Sequence, residues 1–455
     1  MFWTIVRREF LDHLVSFRFT AVFLLTVFLT VVSVMVFSVD FEQRKKAFQR
    51  EPAGLIDASG KTSLMMLPCN GWGVQRAPSQ LAFLSGGTEQ ELPNRVSMAL
   101  HCIQSIDRAP EMGEIAGTGL HADWAAAVSL LLSFAAGLLT YKSISGESRD
   151  GTLTLLLSNP VSKATVLSAK YAAALLALTV SFTIAVVAGL LVLRVMGIVD
   201  LSGDDLIRIG LFGVVGLMFL SVFVLVGLLC SVLTRTPVIA AVAFLLSWTV
   251  LVVVVPNVGG MIAGLAGRVQ SPLQYKEMSD AIPSQYPVRP GMEAGEFASI
   301  QIQREKAWEN LLIDYVNALL HQVELGKTIT RLSPSGAYVG AVEGIAGLGT
   351  SRFRRFIDNA VRYREGLFRA ALEADRGDSK SEHRYVPWRC GSTNFSRETV
   401  DLGSAKEFHD PPPSSLEGLA TAGWDILLLA MYNLILFSLA FWRFASRDVA
   451  PTPGV

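Results

Sequence analysis

The chain is short of charge. Only 17% of its 455 residues are Asp, Glu, Lys or Arg, against about 25% in ordinary soluble domains. The 39 basic and 39 acidic residues cancel. There is therefore no global pull toward nucleic acid, and none is expected as a partner. Cysteine is scarce too: Cys69, Cys102, Cys230 and Cys390 include no C-x-x-C pair, so a zinc knuckle or thioredoxin-like motif is excluded. The six histidines, His13, His101, His121, His321, His383 and His409, are scattered without ligand spacing on one helix; no metal site is expected. Catalytic signatures are missing as well. There is no H-E-x-x-H and no G-x-S-x-G. The nearest approach to a phosphate-binding loop, Gly326-Lys327-Thr328, has His321 where the first glycine belongs, so backbone N–H groups could not cradle a phosphate there. No catalytic residue and no cofactor is expected in this chain.

What the sequence has instead is apolar length. Hydrophobic residues make up 51% of it, in runs that approach or exceed the roughly 18–25 residues needed to cross a bilayer. The runs predict six membrane helices at 19–39, 125–141, 171–193, 209–233, 238–265 and 425–442. The first is too long for a signal peptide and is followed by Asp40-Phe41-Glu42 rather than a small-residue cleavage site. The fourth and fifth are separated only by Thr234 to Pro237, which reads as a tight hairpin with Pro237 opening the second helix.

Six crossings place both termini on one side. Residues 1–18, the loop 142–170, the Arg235 hairpin and the tail 443–455 carry Arg7, Arg8, Arg18, Lys142, Arg149, Lys163, Lys170, Arg235, Arg443 and Arg447. The positive-inside rule makes this side cytoplasmic, in an inner (cytoplasmic) membrane of bacterial type. Two long segments, 40–124 and 266–424, then lie outside, and Ser335 with them. Apolar residues at helical spacing over 293–326 and 352–375, such as Trp308, Leu311, Leu312, Tyr315 and Leu319, predict that the outer domain is mainly helical. Cys69, Cys102 and Cys390 all fall there, where a disulfide could form. The predicted fold is thus an all-α integral membrane protein with an outer helical domain.

Two cytoplasmic stretches stand out. In residues 1–18, Trp3, Val6, Phe10, Leu14 and Phe17 recur at helical spacing, with Arg7 and Arg8 elsewhere on the wheel. This pattern suits an amphipathic helix lying in the interface and contacting membrane lipids; the plainer reading is a basic flank that sets topology. The second is Ser145 to Lys163, polar up to Gly151 and Thr152, leucine-rich at Leu153, Leu155, Leu156 and Leu157, then broken at Asn159-Pro160. Ser162 can cap the helix that follows. A short leucine-faced helix in the cytoplasm needs something to pack against: another protein, or the membrane surface itself.

The stretch from Glu147 to Lys163 resembles the coupling-loop signature of the type-2 ABC exporter permeases: an acidic residue, Gly-Thr-Leu, a leucine pair, then Ser-x-Pro-Val-Ser and a basic residue. Lys170-Tyr171 resembles the Lys-aromatic pair that follows, and Arg7-Arg8-Glu9-Phe10 resembles the elbow helix of that family. The large outer segments resemble a subgroup in which a Leu-Ser-Pro-Ser segment like Leu332–Ser335 recurs. The resemblance implies a permease that couples to a separate cytoplasmic ABC ATPase dimer, which binds the ATP and magnesium. It also implies a second permease copy or paralogue. On this basis Glu147, Gly151, Thr152, Leu153, Leu155, Leu156 and Pro160 are the expected ATPase-coupling residues, and Trp3, Arg7, Arg8 and Phe10 the interfacial-helix residues. The charge-poor cores of the six runs agree, since ion-driven transporters place ionisable groups at mid-membrane; Arg194, Arg208 and Asp425 lie at run ends, and Asn433 is assigned to helix packing. A non-transporting scaffold or sensor that binds an extracytoplasmic partner is the alternative. A membrane-embedded enzyme is a distant third, for want of a nucleophile–base pair or a metal cluster.

Overall fold

Backbone polar groups in lipid must be satisfied within their own segment, and the apolar runs accordingly fold as helices. The computed structural model describes residues 2–50, 61–63, 72–86, 92–107, 123–266, 269–381, 383, 396, 399–401 and 408–447. Six helices among these are long and apolar enough to cross a membrane: span 1 (Phe17–Gln49), span 2 (Trp124–Arg149), span 3 (Lys163–Met196), span 4 (Gly203–Leu233), span 5 (Pro237–Ala266) and span 6 (Ser415–Ala445). The chain is an all-α integral membrane protein with an additional N-terminal helix, Phe2–Val15.

Local chemistry sets the helix ends. Ser162 accepts a hydrogen bond from Thr165 N at 3.1 Å and starts span 3 at Lys163, well before the apolar run. Ser202 and Ser414 form capping boxes with Asp205 and Glu417. Thr236 caps span 5, with Pro237 in its first turn. Span 1 outlasts its apolar run because Asp40 and Glu42 pair with Arg44 and Lys46 at 2.9 and 2.6 Å, one turn on. Two spans contain π-helical turns, Val128–Leu132 in span 2 and Thr249–Val254 in span 5. Pro256 accounts for the second, since its ring displaces the Val252 carbonyl one turn back.

Span 4 is the pillar of the bundle. Phe212, Val215, Phe219, Val222, Phe223 and Leu228 on it are fully buried. Close helix contact is bought with small residues: a Cβ added to Gly137 of span 2 would meet the Phe244 ring at 1.8 Å, and one added to Gly227 would meet Thr140 Oγ1 at 2.1 Å.

The two long inserts build one domain at the far end of the bundle from the termini. Strands Trp72–Gln75, Arg95–Met98 and Ile103–Asp107 form an antiparallel sheet, with Trp72 opposite Met98 and Val74 opposite Val96. Its buried face packs on Val316, Leu320, Phe353 and Phe356, which belong to the helices Ala294–Thr330 and Thr350–Arg376. Lys61–Ser63 also pairs with Thr399–Asp401 across the inserts. The sheet is a departure from the sequence reading: its strands are four or five residues long, too short for period-2 alternation to stand out. Cys102 is a free buried thiol in this domain, and Cys69 and Cys390 lie outside the described residues.

One part of the second insert is not in that domain. The helix Pro334–Ala346 packs against spans 4 and 6 inside the bundle, and Ser335 is buried there rather than facing the outside.

Candidate functional site

At the end of the bundle that carries both termini, three elements converge on one lysine. The N-terminal helix lies along span 3, its Val6 buried against Ala169 and Ala173. Span 2 turns at residues 141–144 and resumes as Ser145–Arg149. Lys170, between those alanines in sequence, has a side chain only 1% exposed. Its Nζ donates to Glu9 Oε1 and to Glu147 Oε1, each at 2.7 Å. A buried ammonium needs such partners, and here the partners are the N-terminal helix and the loop.

The remaining contacts make this corner stiff. Ile144 N and Ser145 N both donate to Ser231 Oγ of span 4 at 3.0 Å. Lys163 Nζ donates to the carbonyls of Ala445 and Arg447 at 3.0 and 2.7 Å, holding the end of span 6. Arg447 reaches the Val232 carbonyl at 3.0 Å. Arg18 donates to the Tyr141 hydroxyl at 2.8 Å, tying span 1 to the turn of span 2. Burial pushes the His13 imidazole, on the packed side of the N-terminal helix, below its ordinary value.

From this base a six-residue helix, Thr152–Leu157, projects. Gly151 starts it at φ +73°, with nothing within 4 Å of where a Cβ would be. Glycine is there for backbone conformation, not for space. Leu153 is fully buried, and Leu156 and Leu157 lie half-buried against the core. These three are spaced i, i+3 and i+4 and share a face. Leu155 points the other way and is 71% exposed. Thr152 and Pro160 are also exposed. Ser158 Oγ and Asn159 Nδ2 both donate to the Leu155 carbonyl, at 2.7 and 3.1 Å, and close the helix.

The structure thus divides the residues singled out from sequence. Gly151, Thr152, Leu155 and Pro160 face outward. Leu153 and, in part, Leu156 pack inward, so the leucine face is occupied by the protein's own bundle. Glu147 turns in to Lys170. On the N-terminal helix, Trp3, Arg7 and Arg8 are exposed and Phe10 is half-buried. The contact of Lys170 with Glu9 was not foreseen, because the apolar run starts at Tyr171 and Lys170 read as a loop residue, whereas the structure starts span 3 at Lys163. Gly326-Lys327-Thr328 lies within a helix, where its amides are committed to helical bonds.

A sequence profile described as "ABC-2 family transporter protein" matches residues 3–449. The chain belongs to the ABC-2 transporter family. No curated protein matches it. The match takes in the membrane spans and both inserts of this permease.

Proposed function

We propose that this ABC-2 permease forms the translocation path of an ATP-driven exporter in a bacterial cytoplasmic membrane, moved by a separate ATPase dimer that docks on the Thr152–Leu157 helix. The observation that carries the reading is Leu155. A large apolar side chain is held fully outward on a short helix whose other face is locked into the bundle. The docking surface is then Thr152, Leu155 and Pro160, with Gly151 shaping the approach. Lys170 gives the push somewhere to go. Displacement of the short helix passes through Glu147 and Lys170 into span 3, and through Glu9 into the N-terminal helix. ATP supplies work only through different affinities for the two conformations. Both termini and this surface are cytoplasmic, the insert domain is extracytoplasmic, and a second permease copy or a paralogue completes the path.

The test separates the two faces of the helix. Leu155→Asp should abolish co-purification of a cognate cytoplasmic ABC ATPase while leaving the permease's thermal unfolding unchanged, because an interface anchor is worth about 2–4 kcal/mol. Leu153→Asp should instead destabilise the permease itself. Full ATPase recovery with Leu155→Asp would sink the docking assignment.

A further inference from the structure

Three arginines from two distant stretches of sequence converge at the terminal end of the bundle. Spans 4 and 6 run in parallel to that end: Asn433 reaches the Met218 carbonyl and Arg447 the Val232 carbonyl, equal steps along both helices. Arg235 follows closely on Val232, in the turn that joins spans 4 and 5. Arg443 sits in the last turn of span 6, one turn or about 6 Å deeper along the helix than Arg447. The Arg447 guanidinium is held below its ordinary value, first by burial and then by the like charges of Arg235 and Arg443, so the three cations lie within range of one another. Lys163 adds a fourth positive charge, its Nζ bound to the Ala445 and Arg447 carbonyls.

The protein itself does not balance this charge. Among the described residues the acids on the terminal side are Glu9, Asp12, Glu147 and Asp150. Lys170 takes Glu9 and Glu147, Arg149 takes Asp150, and Asp12 lies beside His13 on the N-terminal helix. Arg447 has a helix to serve, since its donation to Val232 satisfies a carbonyl at the end of span 4. Arg235 and Arg443 are exposed and make no such bond to a described residue. Basic residues that only set topology need to lie on one side of the membrane; they have no reason to meet. Holding like charges together costs free energy, and an anion bound by all three offsets it.

The surroundings of the cluster are apolar. Leu439, Trp442 and Arg443, spaced i, i+3 and i+4, share one exposed face of span 6. Leu233, Val238 and Ile239 are exposed on either side of Arg235. A ligand seated on the cations therefore has apolar side chains beneath it, with an exposed tryptophan at the depth where indole rings favour the membrane interface. Arginine suits a phosphate in such a place, because its planar fork donates two parallel hydrogen bonds and it stays charged beside lipid. Basic pockets between membrane helices take anionic head groups in this way. Arg447 also lies 3.4 Å from Ser148 Oγ, which puts a bound phosphate against the corner that carries the projecting helix.

We propose that Arg235, Arg443 and Arg447 bind the phosphate of one anionic phospholipid, whose acyl chains lie along the Leu439–Trp442 face of span 6. The test is native mass spectrometry of the detergent-purified, full-length permease, titrated with phosphatidylglycerol or with phosphatidylcholine of the same acyl chains. One phosphatidylglycerol should be retained well below the concentration at which phosphatidylcholine binds. Arg235→Gln with Arg443→Gln should weaken that binding about tenfold or more, the loss expected from two cations at a membrane surface. Arg235→Lys with Arg443→Lys should keep most of it. Arg194→Gln, which removes an exposed arginine at the other end of span 3, should leave it unchanged. The Gln pair should also unfold at the same temperature as the unsubstituted permease, because neither arginine bonds to the fold. Equal affinity for the two lipids, or phosphatidylglycerol affinity unchanged by the Gln pair, would overturn the proposal. Displacement of the lipid by millimolar inorganic phosphate would show a site for soluble anions and overturn it as well. Loss of ATPase co-purification in the Gln pair with lipid affinity intact would make the cluster a motor contact instead. The lipid titration uses neither ATP nor a motor, so its failure leaves the docking surface at Leu155 untouched.

Discussion

Lys170 and Glu147 are joined by a 2.7 Å ion pair across 23 residues of sequence, with the lysine side chain almost wholly buried. The same ammonium holds Glu9 at 2.7 Å. One cation therefore fixes the orientation of the N-terminal helix, the turn before the projecting helix, and the first turns of span 3.

Lys170→Ala leaves two carboxylates facing each other without a cation. Loss of one partner from a buried pair costs about 3–5 kcal/mol, and the lower end applies because Glu9 and Glu147 are partly exposed. The unfolding temperature of the permease in nanodiscs should drop clearly. Combining Lys170→Met with Glu9→Gln and Glu147→Gln should recover most of that loss. An unchanged unfolding temperature for Lys170→Ala would mean the corner is not held by charge.

The charge distribution predicts topology. An exposed probe on the insert domain, Leu273→Cys, should react with an impermeant maleimide in intact cells, and Leu155→Cys should react only after permeabilisation. Both positions are exposed in the structure, so burial cannot mask either result. The reverse pattern would place the projecting helix outside and remove its access to a cytoplasmic motor.

The insert domain should weaken as pH rises. Burial raises the Glu305 carboxyl from its ordinary 4.5 to about 7, and burial with Glu305 and Glu309 nearby pushes the Cys102 thiol up to about 12. Between about 4.5 and 7 the folded domain holds a proton that the unfolded chain has lost. Stability is then greatest below 4.5 and falls as pH climbs through 7. Glu305→Gln should flatten this dependence in thermal unfolding followed from pH 5 to 8. A slope that survives the substitution must come from another group.

Asn433 of span 6 clasps span 4. Its Nδ2 donates to the Met218 carbonyl at 3.0 Å, its Oδ1 accepts from Ser221 Oγ, and Ser221 in turn meets the Tyr171 hydroxyl of span 3 at 2.6 Å. Hydrogen bonds between membrane helices are modest, about 0.6 kcal/mol on average. Asn433→Leu should cost about 1 kcal/mol and lower the unfolding temperature by a few degrees without loss of folding. Failure to accumulate in the membrane would show that the clasp does more than pack helices.

The spans, the cap at Ser162, the helix start at Pro237, and the Glu147–Lys163 motif were all legible in the sequence, because each depends on neighbours within a few residues or on the length of an apolar run in lipid. Which leucine faces outward was not legible. Leu153, Leu156 and Leu157 form a stripe in any helix, but whether that stripe meets a partner or the protein's own core depends on how Lys170 and Ser231 rotate the loop. The burial of the helix Pro334–Ala346 was beyond reach for the same kind of reason. Thirteen residues from Pro334 to Ala346 are too few to cross a bilayer, and nothing near them in sequence says they enter one. That was decided by Asp425, Gly418 and Ala422, far along the chain, which offer Arg331 a charge partner and the glycine-lined helix a small surface to pack on.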